Sequence, residues 1–270
     1  MSKQRDRGLA AIARRAVEQV GPDIAAHFMT DLPVELKRSQ SDPVTDIDRH
    51  AEQTIRGFLS NSSPGSSIIG EEFGVSEGSE TCVRWHVDPI DGTQNYVTGV
   101  PYFATSIGAE IDGEIVAGAV HDPIRGETFW GAGDEAWLDD QPLDAQGPDP
   151  GFLGVNTHWP FVGFFPETGE APLRLLSLLR EIGVVRARGS FALHVAHVAA
   201  GRAAAAIEVR AVDPWDVAGA MAVVRGAGCS IRILDPPPPG FGAWAGPTFV
   251  VARNPAVAEC LSREITRLLG

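Results

Sequence analysis

The run Asp88-Pro89-Ile90-Asp91-Gly92-Thr93-Gln94-Asn95 constrains this chain more than any other stretch of its 270 residues. Two carboxylates three positions apart follow Trp85-His86-Val87, which reads as a strand ending in Asp88-Pro89, and a glycine and a hydroxyl residue then open a helix. A strand, a sharp turn and a helix start in succession aim both acids at one point. The Gly92 and Thr93 amides face outward there as a site for an anion. Read alone, each aspartate is an ordinary turn cap. The reading changes when further acids join them, because carboxylates converging on one place repel one another unless a cation compensates.

The rest of the chain supplies such acids at element ends. Arg7 to about Phe28 spaces Leu9, Ile12, Ala13, Ala16, Val20 and Ile24 at helical intervals, with Gly21-Pro22 as a kink. Thr45-Asp46-Ile47-Asp48 places a carboxylate three residues after a hydroxyl, which predicts a helix start with Asp48 in its first turn, and Ile55, Phe58 and Leu59 continue its apolar face. Ser67-Ile68-Ile69 predicts a short strand ending in Gly70-Glu71-Glu72. From Tyr102 to about Trp137, β-rich runs broken at Asp112-Gly113 and Arg125-Gly126 predict an antiparallel meander. After the Gly/Pro/Asp-rich loop from Asp144 to Gly151 the pattern becomes strands alternating with helices, through Ala171 to Ile182, Ser190 to Gly201, Ala203 to Val209, Pro214 to Gly226 and a last helix from Pro255 to Leu269. Residues 1–145 are thus expected to form an α+β part and residues 146–270 an α/β part.

The chain has room for one sizeable two-part domain, and its 44% hydrophobic and 21% charged residues predict a compact fold without a long disordered tail. A net charge of −13 argues against a broad surface for nucleic acid or an anionic membrane. It does not exclude a phosphate, since bound metal ions reverse the local field. Cys82, Cys229 and Cys260 show neither pairing nor zinc spacing, which fits a reducing cytoplasm. Met1 to Arg15 lacks the apolar core of a signal peptide, and no later run reaches membrane-spanning length, so a soluble cytoplasmic protein is expected.

As chemistry, clustered carboxylates without cysteine or a histidine ligand set are hard-oxygen donors, suited to Mg2+ or Mn2+ rather than zinc. Two such ions about 3.5–4 Å apart can hold a phosphate, activate a water and stabilise the departing alkoxide. Positioning and charge neutralisation then suffice for phosphoryl transfer to water, with no covalent intermediate.

At this point the sequence resembles the inositol monophosphatase family of magnesium-dependent, lithium-sensitive phosphatases. Four blocks carry the likeness in order: Asp42 through Asp48 with Lys37 ahead of it, Ile69 through Gly74, Trp85 through Tyr96, and Asp213-Pro214-Trp215-Asp216-Val217-Ala218-Gly219. Gly189-Ser190 followed by Val198-Ala199-Ala200-Gly201 is a weaker fifth match. The resemblance implies a layered αβαβα sandwich, a homodimer, and Mg2+ as cofactor in two or three copies, with Mn2+ as a substitute. It implies that Glu71, Asp88 and the Ile90 carbonyl bind the first ion and that Asp88, Asp91 and Asp216 bind the second. Thr93 and Asp48, with Glu71, would activate the attacking water, and the Gly92 and Thr93 amides would take phosphate oxygens. Ser190, Phe191, Glu208, Asp91 and Asp216 would line the pocket for a small phosphorylated metabolite.

Two departures bear on the substrate. The family's acidic residue seven positions before the aspartate of the Trp-Asp pair falls here on Val209, with Glu208 one residue earlier, so either an insertion before Asp213 restores Glu208 to the pocket or the substrate differs from inositol phosphate. Phe191 stands where a small residue is common. Histidinol-phosphate, adenosine bisphosphate and fructose bisphosphate phosphatases of the same superfamily remain alternatives, as does a catalytically silent scaffold. His194 and His197, three apart on a predicted helix, lack the acidic or cysteine partner of a metal pair and read as structural. The six tryptophans read as packing, with Trp159 and Phe161 to Phe165 as candidates to line the pocket. Pro236 to Pro239 reads as a stiff surface connection.

Overall fold

The computed structural model describes residues 2–31, 33–36, 43–79, 82–146, 155–157, 184–209 and 213–269. Helix α1 (Ser2–His27) buries the stripe Leu9, Ala10, Ala13, Ala16, Val17, Val20 and Ile24. It runs on through Gly21-Pro22, and Gly21 answers a close approach, since a Cβ there would lie 2.3 Å from Nε2 of His121. Helix α2 (Asp46–Ser62) begins at the expected place: Thr45 is its N-cap, and Asp48 closes the capping box. Its buried face carries Ile47, Ala51, Ile55 and Leu59, and also two acids, Asp48 and Glu52.

Eight strands form the larger sheet in the order β10-β9-β8-β7-β6-β5-β3-β4. They are β3 (Ser67–Gly70), β4 (Gly74–Ser76), β5 (Val83–Asp91), β6 (Ala104–Ile111), β7 (Glu114–Asp122), β8 (Glu127–Ala132), β9 (Glu135–Leu138) and β10 (Gln141–Pro142). Only the β3–β5 pair is parallel, and β6 to β9 are the meander expected from the turns. Asp112 and Gly113 both take positive φ, 52° and 80°, the backbone of a tight two-residue hairpin. A separate two-stranded piece, β1 (Val34–Leu36) with β2 (Pro43–Thr45), leads into α2.

The second half builds a five-stranded mixed sheet, order β12-β11-β13-β15-β14, from β11 (Val155–Thr157), β12 (Val185–Arg186), β13 (Ala205–Glu208), β14 (Ser230–Ile233) and β15 (Phe249–Ala252). The strands β11, β12 and β13 are parallel, whereas β15 runs antiparallel to both its neighbours. Helices α4 (Phe191–Ala199) and α5 (Pro214–Gly226) lie between the two sheets, α1 and α2 cover the outer face of the larger one, and α6 (Pro255–Leu269) covers the smaller. The short helix α3 (Thr93–Thr98) follows β5 directly. The layers therefore read helix, sheet, helix, sheet, helix, as the resemblance implied.

Helix α5 packs almost backbone to backbone on the larger sheet. A Cβ on Gly108, Gly118 or Gly131 would lie 2.3–2.9 Å from α5 atoms, and one on Gly219 would lie 2.6 Å from the Ala119 carbonyl oxygen. Glycine is required along this seam for its size, not its φ. Cys82 and Cys260 are exposed, Cys229 is half-buried, and all three are free. The expected helix 171–182, the loop with Trp159 and Phe161 to Phe165, and Lys37 lie outside the described residues. Among the described residues no helix is long and apolar enough to cross a membrane.

Candidate active site

Strand β5 does not stop at Asp88-Pro89 as the sequence suggests; it continues to Asp91 through a bulge. Asp88 faces Ser106 on β6 and Asp91 faces Ala104, so Pro89 and Ile90 stand opposite the single residue Thr105. In a flat strand, residues three apart point to opposite faces, and the extra residue brings Asp88 and Asp91 round to one side. Proline is tolerated there because the bulge leaves its position without a ladder bond to donate. The buried Thr105 hydroxyl donates to the Pro89 carbonyl at 2.8 Å and pins the bulge. Gly92 then turns the chain into α3 at φ 97°, where a Cβ would press on the Gly189 carbonyl at 2.9 Å.

Helix α2 delivers Asp48 to this turn. Its Oδ2 accepts from the Thr45 amide at 2.8 Å and the Thr45 hydroxyl at 2.6 Å, while Oδ1 lies 3.0 Å from the Thr93 hydroxyl. That hydroxyl is also 2.9 Å from the Ile90 carbonyl, so its one proton is shared between two acceptors. Burial raises the Asp48 pKa, against the hydrogen bonds from Thr45 and Thr93, and the charge of Glu71 raises it further.

Glu71 follows β3, its amide tied to the Val87 carbonyl at 3.2 Å. Asp216 comes from the opposite half, in the first turn of α5, where Oδ2 accepts from the Asp213 amide at 2.8 Å. The structure brings these acids into one field. Burial, then the charges of Glu71, Asp91 and Asp216, push Asp88 well above the usual carboxylate range, and burial with the charges of Glu71 and Asp91 does the same to Asp216. Asp91 is pushed up to about 7 by burial and by Glu71, against three hydrogen bonds that favour its ionised form. Those bonds come from the start of α4: the Ser190 hydroxyl and the Ala192 amide (2.8 Å) on Oδ2, and the Phe191 amide (3.0 Å) on Oδ1.

Among the described residues no three acidic, histidine or cysteine side chains already form a closed ion cage. The donor set nevertheless fits a divalent cation. Asp88 is 2% exposed and its Oδ1 has no hydrogen-bond partner among the described residues, and the repulsion that adds to burial in raising Asp88, Asp91 and Asp216 is what a positive ion removes. All the donors are oxygens, which selects Mg2+ or Mn2+ over softer metals.

The residues expected to line the pocket fall out differently from the expected ligands. Ser190 is fully buried and spends its hydroxyl on Asp91, so the structure places it behind that carboxylate rather than on an open surface. Phe191 gives its amide to Asp91 and rests its ring partly buried against the apolar cluster around α4. Glu208 ends β13 fully buried, with Oε1 3.2 Å from Nδ1 of His194. The Arg188 amide donates to His194 Nε2 at 3.2 Å, which leaves Nδ1 as the protonated nitrogen facing Glu208. Residues 210–212, where an insertion would sit, lie outside the described residues.

His194 and His197 are buried among protein partners, consistent with their structural reading. Trp85 is fully buried and Trp130 stacks on Trp137 at 4.0 Å, which is packing as expected. Sequence reasoning missed Thr105 and Glu52. The second carried a signal, since it lies one turn beyond Asp48 on the same buried stripe.

Residues 6–267 match the inositol monophosphatase family. An inositol-1-monophosphatase of Mesorhizobium japonicum is 34% identical over 260 residues, covering 95% of each chain. The Nus factor SuhB of Pasteurella multocida is 36% identical over 224 residues, 80% of this chain and 82% of that one. Among solved structures, the extragenic suppressor protein suhB of Bartonella henselae superposes with a TM-score of 0.83 at 28% identity, covering 96% of this chain and 98% of that one. SuhB of Mycobacterium tuberculosis gives 0.73 at 30% identity, covering 97% and 98%. With the five layers and the acid cluster in place, a match of this length shows that the chain belongs to the inositol monophosphatase family.

Proposed function

We propose that the chain is a Mg2+-dependent phosphomonoesterase that hydrolyses a small phosphorylated polyol of the inositol monophosphate type. The observation that carries this reading is the set of mutually repelling carboxylates around the unpartnered Asp88 Oδ1, beside a threonine hydroxyl poised on a buried aspartate. Glu71, Asp88 and the Ile90 carbonyl would hold one ion, and Asp88, Asp91 and Asp216 another. When bound, the ions neutralise phosphate charge and ease the departure of the alkoxide.

The chain's own groups supply the rest. The Thr93 hydroxyl gives its proton to Asp48 Oδ1, which leaves its lone pairs to accept a hydrogen from an attacking water. Asp48, with its pKa raised by burial, is the sink for that proton, and Glu71 adds negative charge beside it. The Gly92 and Thr93 amides receive phosphate oxygens, and Asp91, Asp216 and Phe191 frame the leaving group, with Ser190 holding Asp91 from behind. Lithium inhibition, a cytoplasmic setting and a homodimer accompany this reading.

The test is phosphate release from a panel of inositol, histidinol, sugar and nucleotide phosphates, with Mg2+ and with EDTA. Release from polyol monophosphates that EDTA abolishes is the expected result. Turnover confined to nucleotide bisphosphates would overturn the substrate class. The similarity to chains named Nus factor SuhB favours a second reading, a binding role that needs no turnover, and the same panel without any release would support it.

A further inference from the structure

Glu52 is fully buried, close to the site and outside the ligand set. Four residues after Asp48 on α2, it turns its carboxylate onto the backbone that follows β3. Oε2 accepts from the Glu72 amide at 2.7 Å, and Oε1 accepts from the Phe73 amide at 3.2 Å. Arg56 Nε donates to Oε1 at 2.7 Å, while its other nitrogens reach the Ser76 hydroxyl at 2.8 Å and the Gly74 carbonyl. Gly70 is there because a Cβ would lie 2.0 Å from Oε1 of Glu52. The turn carrying Glu71 is thus clamped on one side by Glu52 and on the other by the Val87 carbonyl, which takes the Glu71 amide.

A charged acceptor that binds two successive amides fixes the direction of the peptide units on either side of a residue. We propose that Glu52 is a positioning residue, holding the 70–73 turn so that Glu71 meets the divalent ion at full affinity; this rests on the metal-dependent reading above. One helix face then sets two parts of the site, Asp48 aligning the nucleophile side and Glu52 aligning the ion side. Groups that orient metal ligands change metal affinity about 10–100-fold when removed, without being ligands themselves.

Calorimetric titration of MgCl2 into the wild type, Glu52→Gln and Glu52→Asp tests this, together with the Mg2+ dependence of phosphate release. Glutamine keeps the length but offers one oxygen where two amides and a guanidinium need two, and aspartate keeps the charge but falls one methylene short. Both variants are expected to bind Mg2+ about tenfold more weakly and to need correspondingly more for half-maximal rate, with kcat at saturating Mg2+ within about threefold of wild type. A role in folding alone would lower the melting temperature and leave the affinity unchanged. Wild-type affinity in either folded variant overturns the inference, and so does loss of cooperative unfolding in both. Absence of Mg2+ binding by the wild type would instead overturn the proposed function.

Discussion

Two regions of this molecule bury charge, and they do so in opposite ways. Around β13 and α4 the acids have partners: Glu208 faces the Nδ1 proton of His194 at 3.2 Å, and the half-buried Glu127 pairs with Arg202 at 2.6 Å. At the end of β5 the neighbours are alike: burial and the charge of Glu71 raise the pKa of Asp88, Asp91 and Asp216, and Asp88 Oδ1 is left unmatched among the described residues. Burial of a titratable group is common to both regions, so burial does not mark a site. What sets the second region apart is the excess of like charge among the described side chains around Asp88.

The contrast can be broken by experiment. The largest expected effect is on turnover: Asp91→Asn keeps the shape, loses the charge of a proposed ligand, and should lower kcat about a thousandfold while the metal-free melting temperature holds or rises. Near-normal turnover would remove Asp91 from the ion site. Next, His194→Ala should cost about 3 kcal/mol of stability by removing a hydrogen bond to a buried Glu208 and opening a cavity, with no loss of the Mg2+-induced stabilisation. If that stabilisation disappears, the two regions are one.

Mg2+ at a hundredfold excess over its dissociation constant should stabilise the wild type by about 2.7 kcal/mol, read as a rise in melting temperature that EDTA reverses. An unchanged melting temperature would favour the silent scaffold. The smallest effect concerns His197, held neutral with its pKa lowered to about 3 by burial and by Arg202, Arg188 and Arg125, with His194 adding to the effect. A histidine depressed in the fold contributes stability that is complete above its unfolded value and is lost as pH falls below it, here from about 6.5 toward 3. His197→Gln should therefore show a shallower fall in melting temperature between pH 6.5 and 4.5 than the wild type. An equal slope would place the acid sensitivity elsewhere.

Much of the site was legible because its residues sit at element boundaries, which sequence marks well. The capping box at Thr45 to Asp48, the glycine at 92 and the Pro-Trp-Asp start of α5 all announce themselves by local chemistry. What escaped depends on contacts across the fold. The continuation of β5 past Pro89 needs Thr105 on the neighbouring strand, and the role of Ser190 needs Asp91, ninety-nine positions away. The need for glycine at 21 escaped because the sequence does not show His121 lying against it. The layer order was implied by resemblance alone, since alternation of strands and helices leaves open that β15 runs against both its neighbours.

The glycine seam beneath α5 has a consequence for how the two halves cooperate. Asp216 rides on that helix, and Gly108, Gly118, Gly131 and Gly219 let it lie against the sheet that bears Asp88 and Asp91 with only small groups such as Ala218 Cβ and Ser106 Oγ at the seam. Main chain resting on main chain has no rotamers through which to yield. The backbone that carries Asp216 is therefore held at a set height over the strands beneath it, like the jaw of a fixed spanner.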